Sequence, residues 1–496
     1  MSSPVKLNFK QVITYQVGSA TPIYLQLAQQ FINAIQRSWL EPGVKLPGSR
    51  ILAENLGLHR KTIIAALQEL ESQGWILVKP NVGTFVILPQ ATELLKNKIT
   101  SFSSLSAYPE KAGFTFKTSD LLALEPIQQQ PNDLICTDGT PDLRLSYFKN
   151  LTQGYSATLK RKSTPNKLGD LHHENKYFKN QLTNFLNGTR GLHILPDNVL
   201  ITRSTEMSLF ILAQTILQPN DVVVVAQLSY YKANMIFQQI GAKLQTIPVD
   251  EQGLSVDALK QLLKKQKIRA VYITPQHHYP TTVTLSADRR LALLSLAETY
   301  GFVIIEDDYD YDFQYDKSAM LPLASADVQG MVVYTGTFGK ALFPNFRTGF
   351  IVAPKNVIQE ARKYLHIIDP QGDVVLENVL AELIEEGDMH RYLKKSIKEY
   401  QARRDFVVQF INDHLSEWIA VNVPNGGLAL WFTFKQPVVL QQLTSFFKQK
   451  KIVLPRFVQY QNQKITALRF GFGHLNTEEL TQVLMAFVLF FEQEKN

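Results

Sequence analysis

Gly336-Thr337-Phe338-Gly339-Lys340, with Pro344 and Arg347 after it, is the stretch from which the rest of this chain is read. It follows Met331-Val332-Val333-Tyr334, an apolar run that predicts a buried strand. A lysine just past a strand end, with small residues beside it, suits a Schiff base. Small residues let a flat ring approach the backbone, and a desolvated amine loses its proton more readily and becomes a nucleophile. Taken by itself, such a lysine is more often a solvated loop residue. Upstream, Phe302-Val303-Ile304-Ile305-Glu306-Asp307-Asp308-Tyr309-Asp310 reads as a second apolar strand ending in carboxylates and a tyrosine.

Together the two stretches hold a specific set of groups. A pyridoxal phosphate site needs a lysine for the aldimine and a carboxylate that keeps the pyridine nitrogen protonated. It also needs a hydroxyl for the ring phenolate oxygen, and a cation with backbone amides for the phosphate. Lys340, Asp307, Tyr309 and Arg347 supply these roles. Each residue has a bland reading as a loop or surface charge, but their joint placement at two strand ends favours the cofactor.

From Asp221 to Arg347 the chain resembles the aminotransferase part of the MocR/GabR-type regulators. The residues that carry the likeness are Tyr272-Ile273-Thr274-Pro275-Gln276-His277-His278-Tyr279-Pro280-Thr281, then Glu306 to Asp310, then Gly336 to Lys340 with Arg347. That family joins a GntR-type winged helix to a fold-type I aminotransferase-like domain, so the resemblance predicts a DNA-binding domain at the N-terminus. It also implies a homodimer.

The first ninety residues fit that expectation. Met1 to Gln90 holds eight Lys/Arg against four Asp/Glu. A helix opens at Pro22-Ile23-Tyr24 and keeps Phe31, Ile32 and Ile35 at helical spacing. A short helix follows, with Ser49 as its expected N-cap and Ile51, Leu52, Ala53 and Leu56 as its apolar face, stopping at Gly57. A second helix starts near His59. Ile76 to Lys79 and Thr84 to Ile87 then bracket a wing turn, Pro80-Asn81-Val82-Gly83. Arg60, Lys61 and Thr62 fall at the end of the second helix that enters the major groove in such motifs, and Arg50 sits at the start of the first. The resemblance assigns Arg50, His59, Arg60, Lys61, Thr62, Gly83 and Thr84 to double-stranded operator DNA. Asn81 stands where a wing glycine is usual, and asparagine also reaches positive φ.

Composition bounds the remainder. A chain of 496 residues suggests two or three domains, and 45% hydrophobic residues is ordinary for globular cores. One cysteine, Cys136, excludes an internal disulfide framework and suits a reducing cytosol, and a cytoplasmic location is expected. The longest apolar run, Val483 to Phe491, is too short to span a bilayer and reads as a buried helix. The net charge of +7 permits a polyanionic partner.

The expected organisation is a winged helix over residues 1–88, a linker over 89–133, and an aminotransferase-like domain over 134–496. The linker's Leu121 to Leu124 are expected to dock on the next domain. The last domain divides into a larger part at about 165–365, with a mostly parallel sheet, and a smaller α/β part at about 390–496. Val199 to Thr202 is a strand, and Ser204-Thr205-Glu206 opens a helix whose start could cradle a phosphate. The resemblance puts Thr205 and Thr337 on the cofactor phosphate, Tyr230 against the pyridine ring and Tyr279 near the ring oxygen. It puts Arg469 on the carboxylate of an amino-compound effector. Ser204, Glu206, Thr282 and Gly339 depart from the family pattern, and Glu206 brings an anion toward the phosphate. His277-His278 lacks a third ligand at suitable spacing, so no metal is expected. Lys394, Lys395, Arg403 and Arg404 read as a solvated helix face.

The resulting reading is a transcriptional regulator that senses an amino compound through an aldimine on Lys340. Two others stand beside it. One is a working aminotransferase with a DNA-binding appendage, and the other is a DNA-binding protein whose cofactor site has degenerated.

Overall fold

The helix Ile23–Gln36 forms because Leu27, Ala28, Phe31, Ala34 and Ile35 recur at helical spacing, and all five are buried. They meet Leu52, Leu56, Ile63, Ala66 and Leu70 of two further helices, Ser49–Leu56 and Arg60–Ser72. Gly57 takes a left-handed conformation, φ 68°, which closes the first of these two and turns the chain toward the second. Lys45–Leu46, Gly83–Val86 and Ile76–Lys79 make a three-stranded antiparallel sheet in that order, the wing. Asn81 sits in its turn at φ 58°, as expected for the residue replacing glycine. Ser49 is not the N-cap. Gly48 holds that place, and the Ser49 hydroxyl instead accepts from Arg60 Nε at 3.2 Å, tying the two helices together. Phe31 is 1% exposed at the centre of this core. Replacing it with alanine should cost about 3–5 kcal/mol, read as an earlier urea unfolding step of the full-length chain.

The structure is a computed structural model and describes residues 8–37, 39–87, 110–123, 127, 130–145, 148–161, 175–315, 320–338, 340 and 347–495. The chain divides into two compact units, Met1–Thr118 and Ser119–Asn496. The winged helix lies in the first. Much of the stretch expected to be a linker, including Leu124, lies outside the described residues. Asp120–Leu122 forms a short 3-10 turn beside the helix Tyr231–Gln239 of the second unit.

The second unit is built on a seven-stranded sheet. Its order is Val199–Thr202, Gly349–Val352, Val332–Thr337, Val303–Asp308, Ala270–Ile273, Val222–Ala226 and Lys243–Ile247. Gly349–Val352 runs antiparallel to both neighbours, and the other pairings are parallel. Both faces are covered. Val223, Val225, Ala270, Tyr272, Ile305 and Val333 meet one set of helices, and Val224, Val271, Ile273, Ile304 and Val332 meet another. The alternation follows from the two-residue period of a strand, and it explains why these strands are apolar throughout.

A four-stranded antiparallel sheet forms the C-terminal part, in the order Ile419–Asn422, Ala429–Phe434, Thr466–Gly471 and Gln459–Gln461. The helix Thr477–Lys495 packs its apolar run, including Val483, Phe487 and Phe491, into this core. Leu134–Ile135 pairs with Ile452–Val453, so the start of the aminotransferase-like region joins the C-terminal part. The long helix Asp388–His414 corrects one expectation. Lys394 and Lys395 are exposed, but Arg403 and Arg404 are buried. They share the inward stripe of Tyr400, Val407 and Ile411. Arg403 bonds Asp142 at 2.8 Å and the Gly473 carbonyl at 2.6 Å, and Arg404 bonds the Pro424 carbonyl at 2.9 Å. Helical periodicity puts these cations inside, and specific acceptors satisfy them.

Candidate functional site

The carboxyl ends of the parallel strands open onto a cavity of about 370 Å³, within the range of small-molecule sites. Tyr230 reaches it just after the strand Val222–Ala226, Thr274 after Ala270–Ile273, and Asp307 and Tyr309 at the end of Val303–Asp308. Thr337 ends its strand, and Lys340 follows in a turn. Arg347 enters from the head of the antiparallel strand, which lies at the same edge of the sheet. Thr205 comes from the first turn of the helix Thr205–Ile216. The structure therefore gathers Lys340, Asp307, Tyr309, Arg347, Thr337, Tyr230, Thr205 and Tyr279 around one space. Gly339 and Pro344 lie outside the described residues.

Strand alternation sorts the three consecutive acids. Glu306 is fully buried and accepts from the backbone N–H groups of Leu323 and Ala324 at 2.9 and 3.0 Å. Asp308 accepts from the Tyr334 hydroxyl at 2.8 Å. Only Asp307 lines the cavity. Its Oδ2 accepts from the Tyr272 hydroxyl at 2.7 Å, while Oδ1 is buried without a hydrogen-bond partner. Burial pushes its pKa up from 3.8 to about 7, against the Tyr272 hydrogen bond that lowers it. An unpaired oxygen on a buried acid is costly, and an N–H aimed at it would relieve that cost. A protonated pyridine nitrogen is such a donor. Lys340 has its pKa lowered, chiefly by burial, with Asp138 and Asp310 opposing. Its Nζ lies 4.5 Å from the centre of the Tyr309 ring. The donors and acceptors present fit pyridoxal phosphate.

Two expected contacts are made differently. The Tyr309 hydroxyl, expected to serve a ring oxygen, donates to the His277 carbonyl at 2.9 Å and accepts from Arg469 Nη2 at 3.0 Å. Arg469 does not line the cavity. It is 1% exposed, behind the rings of Tyr279 and Tyr309, and also donates to the carbonyls of Asp138 and Pro280, each at 2.8 Å. A guanidinium carries five N–H groups in a rigid fork, and here three of them bind this chain itself. The Tyr279 hydroxyl donates to Asp138 at 3.1 Å, and its ring packs edge-on against Tyr230, centroids 5.1 Å apart.

On the side of the cavity walled by the helix Thr205–Ile216, Ser204 caps that helix by accepting from Met207 N at 3.2 Å. The first N–H groups of a helix have no partner within it and attract anions. Thr337 Oγ1 donates to the Thr348 carbonyl at 3.1 Å. Glu206, flagged by the sequence as an anion out of place, accepts on one oxygen from Tyr230 at 2.9 Å and Lys232 at 2.8 Å. Burial raises its pKa, but the Lys232 bond and charge outweigh that and bring it to about 2.

Sequence reasoning missed Asp138, Tyr272 and Lys232, all of which line the cavity. Tyr272 looked like one more core residue of a strand. Asp138 reaches the site only through the pairing of its segment with the C-terminal part. His277 is buried and bonded through Nδ1 to Asp310 at 2.9 Å. Among the described residues no group of three or more His, Cys, Asp or Glu is placed to hold a metal. No helix among them is long and apolar enough to cross a membrane.

In the winged helix, Arg50, His59, Arg60 and Lys61 are exposed, and Thr62, Gly83 and Thr84 are half-buried. His59 caps the second helix of the pair, its Nδ1 accepting from Lys61 N at 3.3 Å. Arg60, Lys61 and Thr62 are its first three residues.

A mostly parallel sheet with a lysine and a buried acid at its carboxyl edge defines a fold-type I aminotransferase domain, here on the same chain as a winged helix. Comparison with known proteins agrees. Residues 149–487 match the family "Aminotransferase class I and II", and residues 23–86 match "Bacterial regulatory proteins, gntR family". The chain belongs to the aminotransferase class I and II family and, with its gntR domain, is a regulator of the MocR/GabR type. It is 26% identical over 476 residues to the HTH-type transcriptional regulator YdeL of Bacillus subtilis, covering 93% of this chain and 95% of that one. It is 25% identical to the probable rhizopine catabolism regulatory protein MocR of Rhizobium meliloti, covering 82% and 81%. An archaeal alanine:glyoxylate aminotransferase shares the fold, with TM-score 0.68 and 24% identity over 73% of this chain and 91% of that one.

Proposed function

We propose that this regulator binds pyridoxal phosphate on Lys340 and uses the loaded site to sense an amino compound, which changes its hold on operator DNA. The observation that carries the reading is that Asp307, with a buried and unpartnered Oδ1, lines the same cavity as Lys340. Bound there, the cofactor supplies an electrophilic carbon that captures amines. The side chains divide the remaining work. Asp307 holds the proton at the pyridine nitrogen. Tyr230 offers a ring face, buttressed edge-on by Tyr279. Thr205, Thr337 and Arg347 provide the phosphate end. Tyr309 and Tyr279 wall the side toward Arg469. Two of the five Arg469 N–H groups are left over from its contacts among the described residues, but the side chain is buried against the Tyr279 and Tyr309 rings, so an effector carboxylate would have to displace those rings to reach it. Burial of Lys340 favours a neutral, nucleophilic amine there.

On the DNA side, Arg60, Lys61 and Thr62 at the start of the second helix meet the major groove, and Arg50, Gly83 and Thr84 contact the backbone and its flank. The protein works in the cytoplasm as a homodimer reading two half-sites. Arg60→Ala should cost about 1–3 kcal/mol of operator affinity, because a guanidinium is suited to paired contacts with a base edge. Fluorescence anisotropy on duplexes selected by the full-length chain, at two salt concentrations, measures it.

The experiment for the whole reading is operator binding with and without pyridoxal phosphate and a panel of amino acids and amines. A shift in affinity that needs both cofactor and amine supports it. An operator affinity indifferent to both overturns it.

A further inference from the structure

The first turn of the helix Thr205–Ile216 poses a problem for an anionic ligand. Glu206 sits there, on the cavity wall, where the backbone would otherwise favour a phosphate. The structure shows how its charge is handled. Glu206 Oε1 is 2.8 Å from Lys232 Nζ and 2.9 Å from the Tyr230 hydroxyl. Lys232 comes from the first turn of a different helix, Tyr231–Gln239, and also lines the cavity. Both charged side chains keep roughly a third of their surface exposed. The pair therefore feels solvent and salt, yet it lies within the space a ligand would enter.

Resting on the reading above, we propose that Lys232 sets the affinity of this site for the phosphate of its cofactor by cancelling the charge of Glu206. Lys232 acts through Glu206, as a positioning residue. It holds the carboxylate against Tyr230, away from an incoming dianion, and leaves the phosphate end net cationic through Arg347. The Tyr230 hydroxyl takes part in the same bond, so the ring face and the neutralised carboxylate are set together. Without Lys232, Glu206 would stand as an uncompensated anion beside the phosphate, and like charges at short range repel strongly.

The test is a titration of the full-length protein with pyridoxal phosphate, and separately with pyridoxal, which lacks the phosphate. Four proteins are compared: wild type, Lys232→Met, Glu206→Gln and the double variant. Lys232→Met should weaken pyridoxal phosphate binding by about tenfold or more at low salt, a gap that narrows at high salt as the repulsion is screened. Pyridoxal binding should change little. Glu206→Gln should bind at least as well as wild type, and the double variant should return to within about threefold of Glu206→Gln. A double variant as weak as Lys232→Met would overturn the proposal, since Lys232 would then touch the phosphate itself. Equal losses for pyridoxal and pyridoxal phosphate would also overturn it, pointing to a disturbed ring face. Wild type that binds, with Lys232→Met binding equally well, sinks this inference alone. Wild type that fails to bind sinks the cofactor reading and this inference with it.

Discussion

Replacing Lys340 with alanine will remove the visible absorption that the wild-type protein gains on adding pyridoxal phosphate. Lys340 is the only lysine in the stretch between the strand Val332–Thr337 and Arg347, and it lines the cavity with a pKa lowered mainly by burial. An amine with a lowered pKa held in a cavity suits carbonyl capture. Lys232, the other lysine on the cavity wall, is bound to Glu206 with its pKa raised overall, and so remains protonated. Borohydride reduction of the loaded wild type followed by peptide mass spectrometry should therefore find the label on Lys340. The variant should keep its fold, because among the described residues the Lys340 amine packs on the Tyr309 ring without a hydrogen bond or ion pair. Label on another lysine, or absorption retained in the variant, would refute the assignment.

Asp307 carries the second large effect. Asp307→Ala should weaken pyridoxal phosphate binding by roughly 100- to 4,000-fold. Removing one partner of a buried charged pair costs about 3–5 kcal/mol, and each 1.4 kcal/mol is tenfold. The free protein should respond in the opposite way. Burial raises the Asp307 pKa from 3.8 to about 7, so the folded state holds a proton that the unfolded state gives up. That contribution to stability is complete at low pH, below the unfolded value. It declines as pH rises from about 4 through about 7, because the folded state binds more protons than the unfolded state over that window. Asp307→Asn removes the titration while keeping the shape. The cofactor-free variant should then lose less stability than wild type between pH 4 and pH 7, as measured by thermal unfolding. Glu306 and Asp308 beside it, and Glu377 elsewhere in the domain, are also shifted upward, chiefly through burial, so the difference between variant and wild type is the quantity to read. An unchanged difference across that range would mean that Asp307 does not carry the buried charge.

How much of this was legible in the linear chain depended on the range of the interactions. Lys340, Asp307, Tyr309 and Arg347 could be found because each stands at the end of an apolar strand. In an open, mostly parallel sheet the carboxyl ends form one edge, so residues at those ends meet. The winged helix was legible for a similar reason. Helical spacing, the glycine stop at Gly57 and the hairpin turn are local signals.

Apart from the helix N-cap, which falls on Gly48 rather than Ser49, what the linear chain hid was non-local. Arg403 and Arg404 look like solvated charges until Asp142 and the Pro424 carbonyl arrive from elsewhere in the chain to bind them. Arg469, expected on an effector carboxylate, is bonded here to three distant acceptors of this chain. Glu206 looks like a defect until Lys232 answers it across two helices. The sequence by itself determined the two-part architecture, the strand ends and the chemical types around the candidate site. Those follow from local periodicity and from the fixed geometry of strands and helices. Only the tertiary structure decided which charges are paired, which Asp307 oxygen is left open and which arginine is withheld from the cavity. Such pairings depend on separations of a few ångströms between residues far apart in the chain, and chain order does not encode them.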